Sequence, residues 1–166
     1  MISPASPSAH SVVIGWKEVV DLPEWGVRSL VAKSDTGARS SAIDVKNIED
    51  KGNGWVEFDI ILNRKDRRQA PRIAARIIKK TRIRSSNGKV QERFKVRTEI
   101  KIGNIQKEVE LSLVNRKGMI CRILLGRLAL SPEFLIDPQR KYLQSRRTRA
   151  FISHLTRHKK HTSRKG

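Results

Sequence analysis

Cysteine is almost absent from this chain: Cys121 stands alone, so no disulfide framework and no thiolate metal site can be built within one copy. Aromatic residues make up only 5% of the 166 residues, too few for a surface that reads nucleic acid mainly by stacking bases. No apolar run approaches the roughly 18 residues a membrane helix needs, so no membrane span is expected. The stretch Met1 to His10 has neither a basic n-region nor an apolar h-region, and the reading predicts no signal peptide and a cytoplasmic protein. Acidic residues are also scarce, 16 against 36 Lys and Arg, which leaves a net charge of +20.

That charge is unevenly spread. Pro138 to Gly166 holds 10 Lys/Arg and no acid, and Arg64 to Lys101 holds 15 against Asp66, Glu92 and Glu99. A field of this sign draws in polyanions such as nucleic acid, ribosomes or acidic peptides. The plain alternative is a solvated face and a basic tail with no partner.

The hydrophobic pattern is that of short strands. Val12 to Val20, Arg28 to Ser34 and Ser40 to Ile48 read as the first three. Val56, Phe58, Ile60 and Leu62 then alternate with Glu57 and Asp59, which is period two. The same rhythm runs through Phe94 to Ile102, turns at Gly103-Asn104, and resumes through Val109, Leu111 and Leu113, predicting a hairpin. Ser85 to Gly88 predicts another turn between extended arms. Helical spacing is confined to a short piece after Gly126 and a stretch from Arg147 to Thr156. The expectation is a mainly β domain from residue 12 to 143, between a loose 1–11 segment and a basic 144–166 tail.

Two motifs stand out on this background. Ala32-Lys33-Ser34-Asp35-Thr36-Gly37-Ala38 places an acid and Thr-Gly at the end of an apolar strand. By itself this is an ordinary turn. Ile123-Leu124-Leu125-Gly126-Arg127, about 90 residues later, is by itself a buried strand entering a helix. Together, on an all-β chain, they resemble the retropepsin-like aspartic peptidases, whose subunits carry one Asp-Thr-Gly loop and a later apolar-apolar-Gly-Arg segment.

The likeness is closer to one branch of that group, small bacterial proteins often labelled "ATP-dependent zinc proteases". Gly15-Trp16-Lys17-Glu18, Asp35-Thr36-Gly37-Ala38-Arg39-Ser40-Ser41-Ala42, Ser86-Asn87-Gly88, Leu124-Leu125-Gly126-Arg127 and Phe134-Leu135-Ile136-Asp137-Pro138 carry it, from about Val12 to Leu143. Neither half of that label fits these residues. There is no His-Glu-x-x-His, the single Cys makes no thiolate site, and no phosphate-binding Gly-x-x-x-x-Gly-Lys loop occurs. His154, His158 and His161 sit in the basic tail, and His10 in the N-terminal segment, so no metal and no cofactor are expected.

The resemblance implies a small closed β-barrel with one short helix, and Asp35 as catalytic residue. One Asp-Thr-Gly supplies one carboxyl, so the chemistry implies a homodimer that brings Asp35 beside its twin. Thr36, Gly37 and Ala38 would form the active-site loop, and Gly126 and Arg127 would support it from beneath. Ala38 lacks the hydroxyl that a Ser there offers a carboxylate, which suits work near neutral pH. Two departures bear on the substrate side: Arg39 follows Ala38, and the flap candidate is Arg82 to Arg93. Asp44 also stands where the branch tends to carry His.

Members of the branch are associated with glutamate ligases that extend a ribosomal protein, which implies an acidic peptide or polyglutamate tail as substrate. Arg39, Arg82, Arg84 and Arg93, with Lys89 and Lys95, are the candidates to bind it. The rival expectation is a non-catalytic basic protein on the same fold that contacts RNA or the ribosome, in part through the tail. Trp16, Trp25 and Trp55 read as packing residues.

Overall fold

The computed structural model describes residues 11–63, 65 and 70–145. The helical stretch expected from Arg147 to Thr156, the four histidines and most of the basic tail lie outside the described residues.

Alternation of apolar and polar side chains dictates most of what is seen. In β6 (Val90–Ile102), Phe94, Val96, Thr98, Ile100 and Ile102 are buried while Lys95, Arg97 and Lys101 turn outward. β7 (Ile105–Val114) answers with Val109, Leu111 and Leu113 inside and Glu108 and Glu110 outside. The two pair antiparallel across Gly103, whose φ of 58° is the left-handed conformation this turn requires.

The remaining strands are β1 (Val12–Leu22), β2 (Val27–Ser34), β3 (Ser41–Gly52), β4 (Trp55–Ile60), β5 (Arg72–Arg84), β8 (Ile123–Leu125) and β9 (Phe134–Lys141), with one short helix, α1 (Arg127–Leu130). The nine strands run β4-β5-β6-β7-β3-β8-β2-β1-β9, and two further pairings join β3 to β4 and β1 to β6. The protein is mainly β with a single α-helical turn among the described residues. None of the described helices is long and apolar enough to cross a membrane.

The core is one cluster to which nearly every strand contributes, with Ile14, Leu30, Ile43, Phe58, Leu111 and Ile123 fully buried. Trp25 packs edge-on against Phe58 at 5.5 Å, while Trp55 stays partly exposed under the Arg76 guanidinium. Truncating a side chain such as Leu30 to Ala is expected to cost about 2–5 kcal/mol.

One expected extended arm is borne out, and one strand was not expected. β5 extends from Arg72 to Arg84 as one arm of a hairpin closed by Ser85 to Gly88, where Ser85 N–H reaches the Lys89 carbonyl at 2.9 Å. β9 pairs parallel with β1, Val12 opposite Phe134 and Gly15 opposite Asp137. A Cβ on Gly15 would lie 2.5 Å from the Arg140 carbonyl oxygen, so only glycine lets the chain pass there.

Two buried acids anchor segments that are distant in sequence. Glu18 accepts the N–H groups of Gly15 (2.9 Å) and Leu143 (2.7 Å) and the Ser145 hydroxyl (3.0 Å), fixing the end of β9 to β1. Asp44 forms a fully buried ion pair with Arg122 and accepts the Arg116 N–H at 3.2 Å.

Candidate active site

β2 delivers Asp35 to the surface, and the chain turns at once. The Asp35 N–H donates to the Leu125 carbonyl (2.8 Å), continuing the parallel pairing of β2 with β8 by one more residue. The turn is closed by the carboxylate itself: Oδ1 accepts the N–H groups of Gly37 (3.0 Å) and Ala38 (3.2 Å). Backbone donors therefore fix one carboxylate oxygen. Among the described residues Oδ2 has no hydrogen-bond partner, and the side chain is partly exposed.

Gly126 and Arg127 sit under this loop. A Cβ on Gly126 would fall 2.4 Å from the Ser40 carbonyl oxygen and 2.9 Å from that of Ala38, so the two segments meet backbone to backbone. The Arg127 N–H donates to the Ala38 carbonyl (2.8 Å) and the Leu128 N–H to that of Arg39 (3.2 Å). The Arg127 Nη1 donates to the carbonyls of Thr36 and Gly37, both at 3.1 Å. Ser41, part of the quoted motif but given no role there, is buried and its hydroxyl accepts the Gly126 N–H at 2.9 Å. The structure thus brings Asp35, Thr36, Gly37, Ala38, Gly126 and Arg127 together.

The basic candidates are more scattered. Arg39 is exposed in the same loop. Arg82 and Arg84 on β5 face Glu92 and Val90 on β6, whereas Arg93 faces Thr81, so the hairpin divides them between its two faces. Arg82 is already paired with Glu92 at 3.5 Å. No hydrogen bond or ion pair joins Arg82, Arg84 or Arg93 to the Asp35 loop. Lys95 lines a pocket of about 310 Å³ with Ser40, Ser41, Glu110, Leu128 and Ala129, adjoining the loop. Its charge there is met by Glu110 at 3.7 Å.

No group of three His, Cys, Asp or Glu among the described residues is arranged to hold a metal. The Cys121 thiol is buried, and burial pushes its pKa up despite the nearby charges of Lys17, Lys33 and Arg122; a thiol held protonated is a poor nucleophile.

Comparison with known proteins places the chain in a family. Residues 13–147 match the model of a family described as "Retropepsin-like aspartic endopeptidase RimB". Proteins named "Probable alpha-L-glutamate ligase" are similar: one from Shewanella halifaxensis is 36% identical over 138 residues, covering 81% of this chain, and one from Desulfotalea psychrophila is 37% identical over 129 residues, covering 76%. The chain spans 30% and 28% of the length of those two relatives. The fold resembles that of a Legionella pneumophila protein of unknown function, with a TM-score of 0.66 at 25% identity, over 81% of this chain and 98% of the other. With most of its length matched, the chain belongs to the RimB-like family of retropepsin-like proteins.

Proposed function

We propose that this protein is an aspartic peptidase whose dyad forms from Asp35 of two copies, acting in the cytoplasm on glutamate-rich peptide. The observation that carries the reading is the held carboxylate: backbone N–H groups fasten Oδ1 and leave Oδ2 open. The barrel reading draws on the strand pairings, since β3 pairs with both β4 and β7 and β4-β5-β6-β7 completes the circuit.

As in aspartic peptidases generally, two carboxyls about 3 Å apart cannot both ionise, so one keeps a proton. The ionised carboxyl takes a proton from a water lying between them, and that water's oxygen attacks the peptide carbonyl. The protonated carboxyl gives its proton to the carbonyl oxygen. Collapse of the tetrahedral intermediate breaks the C–N bond, and the amine leaves with a proton from the dyad. In this scheme Arg127 and Gly126 hold the loop still, which matters because small misplacement of reacting groups is costly.

Glutamate as the substrate residue rests on charge and on kinship. A net charge of +20 favours an anionic peptide, and relatives named as glutamate ligases would add the residues that such a peptidase removes. Incubating an oligoglutamate peptide with the protein and with Asp35→Asn tests the reading. Cleavage should fall about 1,000-fold or more in the variant, with its circular dichroism unchanged. Salt-sensitive RNA binding with no hydrolysis of any acidic peptide would instead favour the non-catalytic basic binder.

A further inference from the structure

Three lysines stand in register on neighbouring strands without a counter-charge. Lys17 of β1 lies directly opposite Lys33 of β2 on one side and opposite Lys141 of β9 on the other. With strands about 4.8 Å apart, the row spans roughly 10 Å. Like charges placed directly across a sheet repel, and folds usually set an acid beside them. Here none of the three has an ion-pair partner among the described residues, although other strand cations do: Arg72 with Glu49, Glu57 and Asp59, Lys80 with Asp50, Arg97 with Glu108. The neighbouring acid, Glu18, is buried and committed to the N–H groups of Gly15 and Leu143. The Trp16 ring offers the row some relief, with the Lys17 and Lys141 ammonium groups each 5.2 Å from its centroid.

The row leads to the candidate active site. Lys33 is the next-to-last residue of β2, and Asp35 follows the strand's end, its N–H still paired with the Leu125 carbonyl at 2.8 Å, so the two lie about 7 Å apart at the backbone. We infer that Lys33, Lys17 and Lys141 form a carboxylate-binding subsite that holds acidic side chains of a peptide one or two residues from the bond cleaved at Asp35. The row's length of roughly 10 Å is enough to cover two same-face side chains of an extended peptide, which recur about every 7 Å. Each lysine is a flexible point charge with three donors, fitted to carboxylates that arrive in varied rotamers. The distance to the cleaved bond rests on the peptidase reading; the binding of acidic peptide does not.

The test uses Asp35→Asn, which binds without turnover, alone and combined with Lys17→Gln, Lys33→Gln and Lys141→Gln. Binding of an oligoglutamate peptide should weaken about tenfold or more in the combined variant, and the loss should shrink as salt rises. In the active protein the same three changes should raise KM for oligoglutamate and leave a neutral peptide's KM unchanged. Thermal unfolding should shift upward, because a repulsive row has been removed. Oligoglutamate affinity unchanged by the three substitutions, or no oligoglutamate binding at all, overturns the subsite. Equal loss of binding to oligouridylate RNA and to oligoglutamate overturns it in favour of a general polyanion surface. If the protein cleaves no peptide yet loses oligoglutamate binding with the lysines, the subsite stands and the peptidase reading fails.

Discussion

Arg127 reaches across 91 residues of sequence to donate from Nη1 to the Thr36 carbonyl at 3.1 Å, and from the same nitrogen to that of Gly37. A side chain on α1 therefore sets the shape of the loop that presents Asp35. Replacing Arg127 with Met keeps the aliphatic stem and removes both bonds. The expected result is a loss of about 1–2 kcal/mol in urea unfolding and a kcat at least tenfold lower with KM little changed, since the missing contacts position the carboxylate rather than bind substrate. Lys at this position restores charge but not the guanidinium geometry, and should rescue only in part.

The Asp44–Arg122 pair is buried on both sides, with side-chain exposures of 0% and 3%. Arg122→Met leaves the Asp44 carboxylate without its main counter-charge inside the protein. Destabilisation of roughly 3–5 kcal/mol is expected, read as a lowered urea midpoint. A double variant, Asp44→Leu with Arg122→Met, should recover much of that loss, because an apolar pair leaves no isolated charge behind.

Stability should fall in acid partly through Glu133. Burial pushes its carboxyl up, but the hydrogen bond and charge of Lys107 outweigh this and hold it below its ordinary value of 4.5. A carboxylate lowered by folding stabilises the native state above its unfolded value. That contribution starts to fade as pH drops towards about 4.5 and is lost once pH passes below the folded value. Urea midpoints between pH 6 and roughly pH 3 should therefore fall less steeply in Lys107→Met than in the parent.

Much of the fold was legible because strands announce themselves by alternation. Phe94 to Ile102 and Val109 to Leu113 have one buried and one solvated face, and the structure pairs them as expected. β9 gives no such signal: Phe134-Leu135-Ile136 is an unbroken apolar run, Pro138 interrupts it, and its partner β1 is far away in sequence. β5 was expected as an extended arm of the Ser85 to Gly88 turn but without bounds, since beyond Ile77 its Lys79, Lys80, Arg82 and Ile83 are all exposed and only Ile73, Ala75 and Ile77 mark an inner face. That Asp35 to Ala38 would meet Gly126 and Arg127 was expected from two motifs and the family they resemble, and the structure brings these residues together. The contact of Ser41 and the row Lys17, Lys33 and Lys141 were not legible, because each residue acquires its neighbour only through the register of paired strands.

The central claim is that a single carboxyl per chain works only beside its twin. Mixing the parent protein with a threefold excess of Asp35→Asn, unfolding and refolding together to exchange subunits, measures this directly through oligoglutamate cleavage. Mixed dimers hold one ionisable carboxyl and should be inactive, so activity per parent chain should drop to about a quarter of the unmixed value. Activity per parent chain that stays constant across all mixing ratios would contradict the shared dyad.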